Sequence, residues 1–233
     1  MNSQTTDTES NVKSVRHERA LVLNREKIRN SKKGYRIIKR IADIILSAIA
    51  IVVLFPLFLI ISLIIYIDSP VASPIFVQTR VGLDGKEFRF FKFRSMIPGA
   101  DEKIKELISQ NEMSGPAFKM KDDPRVTRVG KFIRRTSIDE LPQLLNILLG
   151  QMSFVGPRPP LPREVEQYDE YAKQRLYVVP GLTCYWQVQP NHNDIAFDEW
   201  LELDIKYIRQ RSIMTDIRII LRTFAVVFRM DGR

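Results

Sequence analysis

The chain has 233 residues, with 36 lysines and arginines against 27 acidic side chains and a formal charge of +9. That length suits one globular core plus an appendage, and the basic balance points to an anionic partner: membrane lipid, a phosphorylated substrate or nucleic acid. Its one cysteine, Cys184, excludes an internal disulfide, and its two histidines, His17 and His192, lie too far apart in sequence to build a Cys/His zinc cluster.

Residues 1–34 form a polar arm of Ser, Thr, Asn and mixed charge. Such a composition predicts a flexible or weakly helical segment. It is not a secretory signal, because the polar stretch is long and no small-residue cleavage site follows the apolar run. Residues 35–68 read as a membrane helix. From Ile44 to Ile67 about 24 residues pass without a charge, more than the roughly 20 needed to cross a hydrocarbon core. Pro56 lies near the middle of this run. A proline removes a backbone donor and clashes with the carbonyl four residues back, so it kinks or breaks a helix. Lys32, Lys33, Arg36, Lys39 and Arg40 precede the run, and Arg80, Lys86, Arg89, Lys92 and Arg94 follow it. Basic flanks prefer the cytoplasm. A helix that enters, turns at Pro56 and leaves by the same face satisfies both flanks; an ordinary span with a proline kink satisfies one. Ser47 and Ser62 could bond the backbone groups freed by a bend, and Asp43 could pair with Lys39 or Arg40.

Residues 69–233 read as a cytosolic domain. Pro74–Val81 and Glu87–Phe93 flank the turn signal Gly82-Leu83-Asp84-Gly85, which predicts a β-hairpin. Asp101–Gln110 is helical by the spacing of Ile104, Leu107 and Ile108. A loop from Asn111 to Pro124 leads to the basic segment Arg125–Arg135. On a helix, Arg128, Lys131 and Arg135 share one face, and Val129, Phe132 and Ile133 another. The basic face is either solvated or phosphate-binding, since guanidinium forks match phosphate oxygens.

Ser137-Ile138-Asp139-Glu140-Leu141-Pro142 opens an amphipathic helix with Leu141, Leu144, Leu145 and Leu148 on one face and Gly150 as its stop. Ser137 and Glu140 match a capping box, but Pro142 fits better with Asp139 as the N-cap. Either register puts two adjacent carboxylates at the positive end of a helix, beside arginines that would keep both ionised. Asp139 and Glu140 then suit Mg²⁺, which takes one or two carboxylates plus phosphate oxygens. An ionised aspartate can also attack phosphorus. Plain helix capping is the competing reading. Directly after the helix, the proline-stiffened loop Met152–Pro160 presents Arg158, which suits an anion held between it and the acidic pair. A second loop, Pro180–Thr183, leads to Cys184-Tyr185-Trp186-Gln187-Val188. The tail is amphipathic: Trp200, Leu203 and Tyr207 recur at helical spacing, and Ile217–Phe228 is strongly apolar. Trp200, Tyr207, Phe224 and Phe228 read as packing, and the last helix as able to lie on a membrane surface.

Arg134-Arg135-Thr136-Ser137-Ile138-Asp139-Glu140-Leu141-Pro142-Gln143-Leu144, followed by Ser153-Phe154-Val155-Gly156-Pro157-Arg158-Pro159, closely resembles the bacterial sugar transferase family, the monotopic polyprenyl-phosphate phosphoglycosyl transferases. Gln78-Thr79-Arg80-Val81-Gly82, Lys92-Phe93-Arg94-Ser95-Met96 and Pro180-Gly181-Leu182-Thr183 match as well, so the resemblance covers about residues 35–229. It implies an α+β fold: a re-entrant helix hairpin hinged at Pro56, and a mainly helical domain with a small β-hairpin and amphipathic interfacial helices. It also implies a place on the cytoplasmic face of a bacterial cell membrane, in contact with anionic lipid. Asp139 matches the family's nucleophile, which attacks the sugar-linked phosphate of a UDP-sugar and releases UMP. Glu140 matches the Mg²⁺ ligand, with Asp139 beside it. Undecaprenyl phosphate is the implied acceptor, in the first membrane step of capsule or exopolysaccharide assembly. Arg158 matches the family's Pro-Arg-Pro arginine, and Arg134, Lys92 and Arg94 are the expected further phosphate contacts.

One stretch departs from the pattern. Where many members carry a Ser-Gly-Arg-Asn-like turn, this chain has Gln189-Pro190-Asn191-His192-Asn193-Asp194, so no contact is transferred to that loop. The multi-span N-terminal half of larger relatives is also missing, which reads as a minimal catalytic form. The rival readings are a non-catalytic membrane scaffold of the same assembly and a phosphatase that uses water as acceptor. Nucleic-acid binding is not expected, because no reader motif accompanies the charge.

Overall fold

A stripe of seven positions along one long helix organises the rest of the molecule. The computed structural model describes residues 22–112, 115–118, 120–190 and 195–228. Most of the polar arm and residues 191–194 of the divergent loop lie outside the described residues. Helix α1 (Arg25–Asn30) is followed by α2 (Lys33–Asp68), 36 residues that run through Pro56 as one helix. Asp43, Ser47, Ile61 and Ile65 are buried along α2. Ala50, Leu54 and Phe58 pack between them against the domain. Steps of three and four residues keep these positions on one face. The other faces are apolar and open: Val52, Val53, Leu59 and Ile67 are among the most exposed large hydrophobic side chains.

The polar residues of α2 do not pair as the sequence suggested. The Asp43 carboxylate accepts hydrogen bonds from Ser153 Oγ (3.0 Å) and the Phe154 amide (3.2 Å). Lys39 instead meets Asp216 at 2.7 Å. Arg40 donates to the carbonyls of Ile147 (2.7 Å) and Leu148 (2.8 Å) at the C-terminal end of a helix, where a positive charge is favoured. Ser47 bonds back to the Asp43 carbonyl rather than to the backbone near Pro56. These charges reach partners distant in sequence, which no local spacing rule foresees.

Strands β1 (Ile75–Val81) and β2 (Glu87–Phe93) form the expected antiparallel hairpin, in register Ile75↔Phe93 to Val81↔Glu87. Alternation puts Phe88, Phe90 and Lys92 on one face of β2. Phe88 and Phe90 pack with Leu144, Ile147 and Met152, while Phe93 faces the other way against Ile61, Ile65 and Ile133. The helix expected over Asp101–Gln110 is shorter: α3 is only Ile104–Leu107, followed by a 3₁₀ turn. Its N-terminus has no side-chain cap, and Ile108 is exposed, so nothing extends it.

Helix α4 (Arg128–Arg135) is capped by Thr127, whose hydroxyl accepts from the Gly130 amide at 2.9 Å. A Cβ on Gly130 would stand 1.9 Å from the Ser95 carbonyl oxygen, so only glycine lets α4 sit this close to the Lys92–Met96 segment. Phe132 is exposed, not packed beside Ile133 as its spacing implied. After α4 a 3₁₀ turn (Ile138–Glu140) precedes α5 (Gln143–Leu148). Neither predicted cap register forms, because Ser137 adopts φ +57 with no capping bond and Pro142 is the N-cap. Asn146 of α5 is fully buried. Its side chain accepts from the Phe91 amide (3.1 Å) and donates to the Arg89 carbonyl (2.6 Å), pinning α5 to β2.

The two segments read as loops are paired. Strand β3 (Ser153–Val155) runs parallel to β4 (Gly181–Thr183). A Cβ on Gly181 would lie 2.0 Å from the Gly156 nitrogen, so two glycines permit the contact. Helix α6 (Pro162–Val165) and a 3₁₀ turn (Ala172–Tyr177) follow β3, and α7 (Phe197–Gln210) and α8 (Ile213–Phe228) end the described chain. The Tyr207 hydroxyl is within hydrogen-bond reach of Asp216 Oδ1 (2.9 Å) and the Val155 carbonyl (3.1 Å). Asp216 also accepts from Tyr35 at 2.8 Å, so α2, α7 and α8 meet at one polar knot. Phe224 on α8 is exposed, contrary to the packing role its type suggested.

Asn146→Ala removes three side-chain hydrogen bonds. Because it leaves partly buried backbone groups of β2 without these partners, it is expected to cost about 1–3 kcal/mol. Thermal unfolding in detergent measures this; a melting point equal to that of the wild type would show that α5 holds β2 by other means.

Candidate functional site

Asp139 and Glu140 lie in the 3₁₀ turn that the left-handed Ser137 sets up. A non-glycine residue in that conformation costs about 1–2 kcal/mol, and such strain is concentrated at sites where a side chain must be aimed. The turn places both carboxylates in a cavity of about 970 Å³. Lys92, last in the inward row of β2, brings its Nζ to 3.0 Å from Glu140 Oε1 and 3.4 Å from Asp139 Oδ2. Arg158 Nη1 donates to the same Glu140 oxygen at 3.3 Å. Arg134 lines the cavity from the end of α4. Arg94 also lines it, but its Nε donates to the Ser73 carbonyl (2.7 Å), away from the acidic pair.

The two carboxylates differ in proton affinity. Burial alone would raise Glu140, but Lys92 and Arg158 outweigh it and bring Glu140 down to about 2. Asp139 moves the other way: burial pushes it up, Lys92 opposes, and the neighbouring Glu140 charge adds to the rise. The sequence implies that both carboxylates stay ionised. Glu140 is hydrogen-bonded by both Lys92 and Arg158, whereas Asp139 is reached by Lys92 at the longer 3.4 Å and lies beside the Glu140 charge.

Arg158 is held from behind. Arg175 donates to the Arg158 carbonyl (3.2 Å), to Asp204 Oδ2 (2.7 Å) and to the Tyr168 hydroxyl (2.6 Å). Asp204 and Arg175 are both buried. Backbone bonds fix the same loop on the other side: Gly181 N–H donates to the Pro157 carbonyl (2.9 Å) and Gly156 N–H to the Thr183 carbonyl (3.0 Å).

Arg80 is the site residue that motif reading passed over. It lines the cavity, donates to the Pro159 carbonyl (3.0 Å) and Gln78 Oε1 (3.0 Å), and stacks over Phe90. Its Nε is buried without a hydrogen-bond partner, and burial lowers its pKa to about 10. The signal was present in Gln78-Thr79-Arg80, but the flanking charge had been attributed to the membrane.

Among the described residues no group of three or more His, Cys, Asp or Glu side chains could hold a metal on its own. The donor set that exists, two adjacent carboxylates, fits Mg²⁺, a hard cation that completes its shell with phosphate oxygens and water.

The sequence pattern of the family described as "Bacterial sugar transferase" matches residues 34–230. The galactosyl transferase CpsE of Streptococcus agalactiae is 51% identical over 158 residues, covering 68% of this chain and 35% of that protein. The undecaprenyl-phosphate galactose phosphotransferase of Salmonella typhimurium is 39% identical over 206 residues, 87% of this chain and 43% of that protein. The exopolysaccharide production protein ExoY of Sinorhizobium fredii is 37% identical over 194 residues, 81% of this chain and 84% of that protein. The chain thus spans less than half the length of the first two and most of the third. With the pattern running from the foot of α2 to the end of α8, and with its acidic pair and Pro-Arg-Pro loop meeting in one cavity, the chain belongs to the bacterial sugar transferase family.

Proposed function

We propose that this protein transfers a hexose-1-phosphate from a UDP-sugar to undecaprenyl phosphate, releasing UMP, as the first membrane step of capsule or exopolysaccharide assembly. The observation that carries this reading is the convergence of Asp139, Glu140, Lys92, Arg134 and Arg158 on one cavity. An Asp139 oxygen attacks the sugar-linked phosphorus of the donor. The bond from that phosphorus to the bridging oxygen breaks, and UMP leaves with both bridging electrons. A phosphate oxygen of the lipid then attacks the same phosphorus, the acyl phosphate bond breaks, and Asp139 recovers its carboxylate. Lys92, Arg134 and Arg158 offset charge that otherwise keeps an anionic nucleophile from an anionic substrate. A bound Mg²⁺, held by Glu140 and Asp139, would supply further neutralisation of phosphate oxygens. Arg94 sits near enough to reach a phosphate only by leaving the Ser73 carbonyl.

The same proposal places residues 69–233 on the cytoplasmic face and makes residues 35–68 a re-entrant helix bent at Pro56, with residues 1–34 as an arm. Both ends of α2 touch one domain: Tyr35 meets Asp216 and Tyr207, and Ile61 and Ile65 pack with Phe93 and Ile133. A straight crossing would carry one end across the bilayer, away from that domain. Exposed Arg128, Lys131, Arg135 and Phe132 on α4 suit an anionic lipid surface beside it.

Asp139→Asn is expected to lower UMP release by at least about a thousandfold while leaving thermal unfolding unchanged, because only the nucleophilic oxygen is lost. Wild-type turnover in that variant would remove Asp139 from the mechanism. Attack needs the ionised Asp139, so kcat/KM should fall with acidity through an apparent pKa above the ordinary carboxylate value of 3.8, the direction in which burial moves Asp139. Lys92→Ala removes a charge that pulls Asp139 down, so the acid limb should move to higher pH; a limb that stays in place or moves down would contradict the assignment. Topology is checked by labelling. Cys184 is buried, so Lys33→Cys and Val71→Cys, both at exposed positions, can be read against a low background. Both should react from the cytoplasmic side alone; reaction from opposite sides would establish a straight span.

A further inference from the structure

The described end of the polar arm, residues 22–32, lies against the domain, and the chemistry above does not use it. The Leu23 amide donates to Gln174 Oε1 at 2.7 Å. Arg25 of α1 meets Asp84, in the turn between β1 and β2, at 2.7 Å. At the other end Arg211, just past α7, donates to the Ile28 carbonyl (2.8 Å) and to Ser31 Oγ (3.0 Å). Lys32 Nζ in turn donates to the Arg211 carbonyl at 2.6 Å. Between these anchors Leu23 and Ile28 pack on a buried cluster that includes Tyr168, Tyr171, Ala172, Leu201, Ile205 and Ile208. The Arg25–Asp84 pair is exposed on the arginine side and adds little. Apolar contact and the bond to a buried acceptor therefore carry the docking.

The residues that receive this segment are those that hold Arg158. Gln174 is fully buried and directly precedes Arg175 in the 3₁₀ turn Ala172–Tyr177. Its side-chain amide donates to the Tyr171 carbonyl (3.1 Å), so Leu23 completes its bonding. Arg175 donates to the Arg158 carbonyl, to Asp204 and to Tyr168. Tyr168 belongs to the cluster on which Leu23 and Ile28 pack. Asp204 follows Leu201 by three residues and precedes Ile208 by four, on the face of α7 that joins the same cluster. We propose that residues 22–32 are a positioning strap for Arg158. By holding Gln174 and the cluster around Tyr168 they fix Arg175, and Arg175 fixes the backbone from which Arg158 reaches Glu140 at 3.3 Å. A 3₁₀ turn has poor hydrogen-bond geometry of its own, so Ala172–Tyr177 depends on such outside support. The strap's effect on rate rests on the transferase assignment above; its hold on Arg158 does not.

The test is amide hydrogen exchange and UMP release on the full chain in nanodiscs. The double variant Leu23→Asp, Ile28→Asp brings charge to an apolar cluster and undocks the strap. The double variant Leu23→Met, Ile28→Leu keeps the apolar contact. The aspartate pair is expected to speed exchange at least about tenfold in peptides covering residues 172–177 and 156–161, with α5 and β2 unchanged. It should also lower kcat/KM for UMP release at least about tenfold. The conservative pair should match the wild type in both. Faster exchange confined to residues 22–32 would show that the strap is not coupled to Arg158. Faster exchange throughout, α5 and β2 included, would show that it only holds the fold. Either result would overturn the proposal, as would an undocked strap with unchanged turnover. If the wild type releases no UMP from any UDP-sugar, the expected exchange pattern would leave the strap's hold on Arg158 standing and remove the donor assignment instead.

Discussion

An apolar helix of 36 residues has to be kept against a domain rich in charge, and the stripe from Asp43 to Ile65 does this. Bare apolar contact would not define one register in a lipid setting, where neighbouring acyl chains are as good a partner as Leu or Ile. The polar residues near the foot of α2 supply the definition. Arg40 meets two carbonyls at the end of α5. Asp43 meets a hydroxyl and an amide at the start of β3. Those two elements flank the acidic pair: α5 follows it directly, and β3 leads into Arg158. The long apolar helix therefore braces the two elements that frame the cavity.

Within the cavity two adjacent carboxylates share their space with several basic side chains. Lys92 sits between them and Arg158 favours one of them, so the pair is asymmetric before any ligand arrives. Glu140 is held ionised by its cations and suits a lasting interaction with positive charge. Asp139 is more deeply buried and its charge less well compensated, the condition of a carboxylate that gains by forming a bond. Arg158 can impose this asymmetry only because its own backbone is immobilised by Arg175 and by the close approach of Gly156 and Gly181.

The same economy shows in where glycine and strain are used. Gly130 and Gly181 both stand where a Cβ would meet backbone at 2.0 Å or less. Each lets its element pack against a segment that adjoins a cavity residue: Gly130, in α4, against the segment after Lys92, and Gly181, in β4, against the segment before Arg158. Ser137, a residue with a Cβ in the left-handed region, does the complementary task of turning the chain sharply enough to aim Asp139.

How much of this was legible depends on the range of the interaction involved. The β-hairpin and the long apolar helix follow from alternation, composition and a turn signal, all properties of neighbouring residues. The acidic pair and Arg158 were found because their motifs are contiguous. The partners of Asp43, Lys39 and Arg40 were missed, since they come from residues more than a hundred positions away. Arg80 was set aside because a basic residue after an apolar run reads as a membrane flank until the hairpin turns it inward. Phe132 was grouped with Val129 and Ile133 by spacing and Phe224 with packing residues by type, yet neither says whether a neighbour arrives to cover them. The sequence by itself determined the β-hairpin, the long apolar run of α2 and the identity of the charged groups, because these depend on local pattern. The tertiary structure alone decided which carboxylate is stabilised and that β3 pairs with β4. Both depend on distances between segments far apart in the chain, and electrostatic and packing energies are set by those distances.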